Sequence, residues 1–199
     1  MKLFGKGFRV YLSELSTDDA DEMARLASNP NIARSIASQG EFPSPYTRSD
    51  ALSFIQFARE SLLAMREFHL AMRLESGNAL IGVVGLKNVK FIDKKAEIGF
   101  WCGEEHWGKG YTKEGARLMM HLAFNVLNFN RIYATAFATN LRSIKLLESL
   151  GMVREGIARQ DGYDGKAFID NVLLGLLKED YRESAEISVE GTAAVGQGL

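Results

Sequence analysis

EIGFWCGEEHWGKGYTKEG, residues 97–115, is the stretch on which the reading of the fold turns. It opens on a short apolar run, residues 98–102, that reads as a buried strand. It then passes through a glycine-containing turn, residues 103–110, into a helical pattern that runs from 111 to about 128. A strand, a glycine-rich loop and a helix N-terminus form a backbone arrangement suited to phosphate. Unpaired amides point out of the first helical turn, and the helix dipole favours negative charge there. Gly108 and Gly110 let the chain approach a ligand and take positive φ where a nest of amides needs it. Lys109 and Lys113 add positive charge on either side. The loop is not a Walker A sequence, and it fails G-x-G-x-x-G because Lys113 stands where the third glycine would fall. By itself a Gly-Lys-Gly turn also serves as a plain connection, so the rest of the chain has to decide.

Upstream, residues 8–12 (FRVYL) alternate apolar and polar positions and predict a first strand. Ser16 or Thr17 caps a helix with Asp18 and Asp19 in its first turn, and Asn29-Pro30 stops it. A short helix over 31–37 follows. Residues 39–47 hold two prolines and two aromatics, Phe42 and Tyr46, in a loop that either tucks into the core or walls a substrate site. Thr47 or Ser49 caps a long helix from 50 to about 66. Strands over 68–74 and 80–86 flank a Glu-Ser-Gly-Asn turn, and a polar connection over 89–95 leads into the central stretch. Downstream come a strand over 131–138, a helix over 141–150 closed by Gly151, and a hairpin of 152–159 with 166–177. Residues 184–199 are small, polar and aperiodic, and read as a flexible end to a single domain over 1–183. The order β-α-α, β meander, β-loop-α-β-α-β-β predicts an α/β fold: a mixed, mostly antiparallel sheet flanked by helices.

Bulk properties narrow the function. At 199 residues the chain has the length of one domain with a sizeable core. A net charge of −1 gives no global reason to expect nucleic acid. A lone cysteine, Cys102, excludes an internal disulfide and a cysteine-based zinc site, and suits a cytoplasmic setting. No apolar run reaches the length of a membrane span. His69, His106 and His121 lack metal-like spacing and read as structural, with His106 beside the loop. No metal is expected.

The loop W-G-K-G-Y-T-x-E resembles the pyrophosphate loop of the GNAT N-acetyltransferases. Its register over Trp107, Gly108, Lys109, Gly110, Tyr111 and Thr112 departs from the general pattern at the first and last positions. It is close to the variant of the RimJ/RimL-type branch. The family's other marker, N-x-x-A/S-x-x-L-Y-x-K-x-G-F, is resembled by Asn140, Ser143, Leu146, Leu147, Ser149, Gly151 and Met152. Leu147 stands where that pattern has the tyrosine often proposed to protonate the leaving thiolate. The resemblance covers about residues 8–181.

What the resemblance implies is a GNAT fold in which two strands splay apart to hold acetyl-CoA. The diphosphate would sit on the amides from Gly108 to Thr112, with Trp107 and Lys113 beside them. The pantetheine would pair like an added strand along Phe100, Trp101 and Cys102. A bulge near Trp101 would free an amide for the thioester oxygen. Glu97 would be a general base, or else a strand residue paired with Lys94 or Lys95. Ser143 would protonate the thiolate, and Asn140 would cap the helix and reach the pantetheine. Arg142 and Lys145 could meet a phosphate, and residues 161–164 could shape the acceptor pocket, with Phe42 and Tyr46 on its wall. The implied activity is acetyl transfer from acetyl-CoA to a primary amine by direct attack. A protein N-terminus of the ribosomal-protein type comes first, then a small molecule such as a polyamine, antibiotic or amino acid. A catalytically silent acyl-CoA-binding module is the reading from another class. Homodimers are common in the family.

Overall fold

The computed structural model describes residues 1–36, 42–164, 166–183 and 185–191. Nine strands form one sheet: β1 (Lys2–Gly5), β2 (Val10–Ser13), β3 (Phe68–Leu74), β4 (Leu80–Lys90), β5 (Lys95–Cys102), β6 (Arg131–Phe137), β7 (Val153–Tyr163), β8 (Phe168–Leu177) and β9 (Ile187–Glu190). Their spatial order is β7-β8-β6-β5-β4-β3-β2-β1-β9. The β5–β6 pair is parallel and the remaining neighbours run antiparallel.

Among the described residues, five α-helices cover the two faces. On one face lie α1 (Ala20–Ala27) and α3 (Arg48–Leu63), whose Met23, Ala27, Ala51, Ile55 and Ala58 pack with Ala71 and Val83 of the sheet. On the other lies α4 (Tyr111–His121), which sets Ala116, Met119 and Met120 into a larger core with Leu12, Leu70, Met72, Val84 and Ile98. Gly115 lets α4 come close: a Cβ there would lie 2.5 Å from the Met72 sulfur. In the same core, Ile144 and Leu147 of α5 (Leu141–Ser149) meet Ala134, Ala136 and Leu174. The short α2 (Pro30–Ser35) follows α1 after Asn29, whose side chain caps it, so Asn29-Pro30 both ends one helix and starts the next. A capping box of Thr47 and Asp50 fixes the start of α3, so that Thr47 rather than Ser49 is the cap and the helix begins at Arg48.

Four expectations are corrected. The first strand begins at Val10 rather than 8, and β1 before it is too short to carry a period. The C-terminal stretch is not wholly a flexible end: residues 187–190 alternate half-buried and exposed, and pair with β1 from Lys2↔Glu190 to Gly5↔Ile187. Residues 192–199 lie outside the described set. The helix from 111 does not stay α-helical to 128, because it widens after His121 through a π turn, Leu122–Val126, in which the Leu127 amide donates to the Leu122 carbonyl. Finally, β4 runs on to Lys90, and it carries the irregularity expected of β5. Pairing is continuous from Gly82↔Cys102 to Lys87↔Glu97, and shifts only between Lys87 and Lys90, where Asn88 has φ +52°. No bulge lies opposite Trp101.

Candidate functional site

The parallel contact between β5 and β6 spans three pairs, Lys95↔Arg131, Ala96↔Ile132 and Glu97↔Tyr133. Beyond Glu97 the two strands part. β5 stays paired with β4 as far as Cys102, and β6 with β8 as far as Phe137↔Asn171. Each therefore turns one unpartnered backbone edge into the gap. Because alternate residues of a strand point their amides to opposite sides, β5 offers free donors there without a bulge. An extended, amide-bearing ligand fits such a slot as a missing strand would.

At the far end of β5 sits the loop. Gly108 and Gly110 have φ of +75° and +82°, as the nest requires. Gly110 is the N-cap of α4 and brings no side chain, so the first-turn amides face outward without a protein cap. Arg9 braces this turn. Its guanidinium donates to the Lys109 carbonyl at 2.9 Å and pairs with Glu114, and it lies 4.9 Å from the Tyr111 ring centre. Trp107 donates its indole N–H to the Cys102 carbonyl at 2.7 Å, and the Arg142 guanidinium covers its ring at 3.9 Å. A cation is thus stationed on the α5 side of the loop. Arg9 was not singled out in the sequence, since it lies a hundred residues from the loop it holds.

Below the gap, on the α3 face, opens a cavity of about 880 Å³. Its floor is the sheet itself, and cross-strand register explains its chemistry. One row is Lys87 beside Glu97, with Glu67 just ahead of β3; the next is His69, Gly85 and Gly99; the third is Ala71, Val83 and Trp101. All of these except Ala71 line the cavity. The two glycines lower the middle row. A Cβ on Gly99 would meet nothing within 4 Å, whereas one on Gly85 would lie 2.5 Å from His69 Nδ1. Phe42, Tyr46, Phe54 and Phe57 form the walls. Phe42 packs 5.0 Å from Tyr46 and 6.4 Å, edge-on, from Trp101. Burial pushes the Tyr46 hydroxyl up to about 12, with Asp50 adding to it.

Each carboxylate in the cavity already has a partner. Glu97, 9% exposed, accepts from Asn88 Nδ2 at 2.8 Å and lies 3.5 Å from Lys87 Nζ. Its cross-strand neighbour Lys87 takes the place of the expected Lys94 or Lys95; Lys95 pairs with Asp93 instead. Glu67 bonds His69 Nε2 at 2.7 Å and accepts from the Asn88 amide at 3.3 Å, which holds its carboxyl below the usual range. Asp161 accepts from Asn171 Nδ2 at 3.0 Å, and the other amide atom of buried Asn171 has no partner among the described residues. Asp50 is tied to Thr47.

Most of the predicted site residues converge. Phe42, Tyr46, Glu97, Phe100, Trp101 and Ser143 line one cavity, and Leu147 lines it too. The Ser143 amide donates to Asn140 Oδ1 at 3.1 Å, and its hydroxyl has no partner among the described residues. Asn140, Cys102 and Lys113 stand apart from that cavity. Asn140 caps α5, but its Nδ2 is bonded to the Ser35 carbonyl at 2.9 Å, so both ends of the side chain are committed. Cys102 turns away from the cavity into the α4-side core. Burial pushes its thiol up to about 11, against a hydrogen bond from Thr112. Lys113 lines a second cavity of about 340 Å³ with Arg117 and Arg182, on the outer side of α4. His69, read from the sequence as structural, stands in the cavity, where its i, i+2 spacing from Glu67 puts the two on one strand face. Among the described residues no cluster of three or more metal-type ligands is found.

Residues 9–153 match the family of acetyltransferase (GNAT) domains. The uncharacterized N-acetyltransferase p20 of Bacillus licheniformis is 30% identical over 174 residues, 87% of this chain and 95% of the relative. The spermidine N(1)-acetyltransferase of Vibrio cholerae is 26% identical over 162 residues, 81% of this chain and 91% of the relative. Among solved structures, RimJ of Mycobacterium smegmatis in complex with CoA-disulfide superposes with a TM-score of 0.79, covering 90% of this chain and 87% of that one; at 20% identity this likeness carries the fold alone. A family match over most of its length, with a relative of the same extent, places the protein: it belongs to the GNAT family and is an acetyl-CoA-dependent N-acetyltransferase.

Proposed function

We propose that the acceptor is a primary amine with a single positive charge beside apolar surface, foremost a protein N-terminal amine, as in the RimJ/RimL-type branch. The observation that carries this reading is the composition of the cavity: an aromatic wall of Phe42, Tyr46, Phe54 and Phe57 facing carboxylates that already hold partners. A polycation would require carboxylates free to receive it.

In this reading the donor lies along the gap between β5 and β6, with its diphosphate on the first-turn amides of α4. The thioester oxygen points at an outward amide of β5, and losing such a donor costs on the order of 10²–10³ in rate. Glu97, the last paired residue before the strands part, draws the ammonium toward the thioester. Ser143 supplies a proton to the departing sulfur in place of the missing tyrosine, and Asn140 holds α5 so that Ser143 stays at the gap. Fixing amine and thioester together contributes much of the remaining acceleration.

The experiment is thiol release from acetyl-CoA, after calorimetry of acetyl-CoA binding, with two peptides bearing N-terminal alanine or serine and with spermidine. Turnover on the peptides supports the reading. Preference for spermidine would replace it with the second reading, which rests on the four carboxylates lining the cavity and on the spermidine-acetylating relative. Binding with no turnover on any of the three would favour a silent acyl-CoA-binding module. Ser143→Ala is expected to lower kcat by about 10²-fold, and Glu97→Gln to raise KM for the amine more than it lowers kcat.

A further inference from the structure

We infer that His69, held by Glu67, is the base that takes the proton from the acceptor ammonium. This deepens the acetyltransferase activity and does not depend on which amine is used. His69 Nε2 is bonded to the Glu67 carboxylate at 2.7 Å. That contact fixes the tautomer with the proton on Nε2, as an oriented imidazole requires, and leaves the lone pair on Nδ1. Nδ1 stands over Gly85, 2.5 Å from where a Cβ would be, and has no partner among the described residues. Phe54 and Phe57 hold the ring from the α3 side, at 5.3 and 5.8 Å between ring centres.

Position decides between His69 and Glu97. Both oxygens of Glu97 are engaged, one of them near an ammonium group, so a proton arriving there displaces an existing contact. His69 Nδ1 has nothing to displace. Gly99, at the edge of the gap, lies one strand beyond Gly85, about 4.8 Å away. An amine over Gly99 is within reach of Nδ1 directly or through one water, which spans about 5.5 Å. The bare floor at Gly85 and Gly99 is what keeps that path open. The charged groups around the ring are Glu67 beside β3, Lys87 on β4, Glu97 on β5 and Asp50 on α3, with Asp161 of β7 across the cavity.

The step balances without a further reagent. The ammonium gives one proton to Nδ1, and the freed lone pair forms the N–C bond to the thioester carbonyl carbon as the C–S bond breaks. The second nitrogen proton ends, through Ser143 or water, on the thiol. His69 returns its proton to solvent.

Two experiments test this. In the first, the parent protein carrying ¹⁵N-histidine is examined by NMR without any acceptor, and the three imidazoles are assigned with His106→Gln and His121→Gln. His69 should show a bare Nδ1 and a protonated Nε2; an Nδ1-protonated ring would overturn the inference. In the second, kcat and kcat/KM are measured against pH with the peptide or spermidine that the parent uses. His69→Gln should lose about 10²-fold in kcat and the acidic limb of the profile, with acetyl-CoA affinity retained, and added imidazole should partly restore His69→Ala. Glu67→Gln should shift that limb and lower kcat less. A His69→Gln enzyme that keeps kcat and limb, while Glu97→Gln loses both, would assign the base to Glu97. A parent that turns over none of the probes would count against the acceptor reading, and the NMR result would still decide the tautomer.

Discussion

Gly85 and Gly99 sit in one row of the sheet, yet an alanine at each has opposite consequences. At Gly99 the added methyl meets open space, so Gly99→Ala is expected to leave Tm unchanged and to cut kcat/KM for the amine, because the methyl occupies the cavity floor. At Gly85 it meets both the His69 ring and the Phe68 carbonyl, so Gly85→Ala is expected to lower Tm and activity together. Thermal melts beside steady-state kinetics separate the two cases. Cys102 gives a third residue-level expectation. With its thiol buried and pushed up to about 11, labelling by a thiol reagent at pH 8 should be negligible in the folded protein and complete after denaturation. Rapid labelling of the native chain would show that β5 opens. Part of this was legible in the sequence: glycine and lysine at 108–110, set between a strand and a helix, suit a nest of amides, although the same three residues also serve as a plain turn. His69 was not, because a histidine on a strand becomes a site residue only through the neighbours that register gives it.

At the scale of elements, α1 and β3 are tied by one buried ion pair. Arg73 reaches both oxygens of Asp19, at 2.8 and 2.7 Å, and Asp19 also completes the capping box on Ser16. Asp19→Ala removes the cap and strands a guanidinium that is mostly out of water. The expected loss is about 3–5 kcal/mol, on the order of 10 °C in Tm for a chain of this size, read by calorimetry. The start of α3 could be read to within two residues, at Thr47 or Ser49, because capping is local. One edge of the sheet, the β1–β9 pair, resisted reading for the opposite reason. β1 and β9 have four residues each, and their pairing joins positions some 185 apart, so neither carries a period of its own. The missing bulge belongs here too. Asn88, one of the few non-glycine residues at positive φ, marks where the extra residue entered β4, and a family pattern could not place it.

Across the whole molecule, several carboxyls are held below their ordinary range by hydrogen bonds: Glu67 by His69, Glu104 by Asn31, Glu105 by Arg25, and Glu155 by Arg131. The sign follows from linkage. A depressed carboxyl contributes stability that is complete above its unfolded value, about 4.3 for Glu, and is lost as pH falls through the folded value. Tm should therefore hold from pH 7 to about 5 and fall below about 4. The contribution is small at the exposed Glu104, Glu105 and Glu155, where salt screens the charge, and larger at Glu67, whose side chain is 24% exposed.

The three-pair joint between β5 and β6 has one more consequence. Six strands lie on one side of it and three on the other, so the empty enzyme is two half-sheets sharing a short seam. A donor lying in the gap would be the tenth strand, and the scaffold is finished only while its substrate is present. Deuterium uptake should record this directly, with the inward amides of 98–102 and 134–137 exchanging quickly in the free protein and slowly once acetyl-CoA is bound. Release of the product thiol would then also be the unzipping of a sheet, and turnover would be paced by how fast that seam gives way.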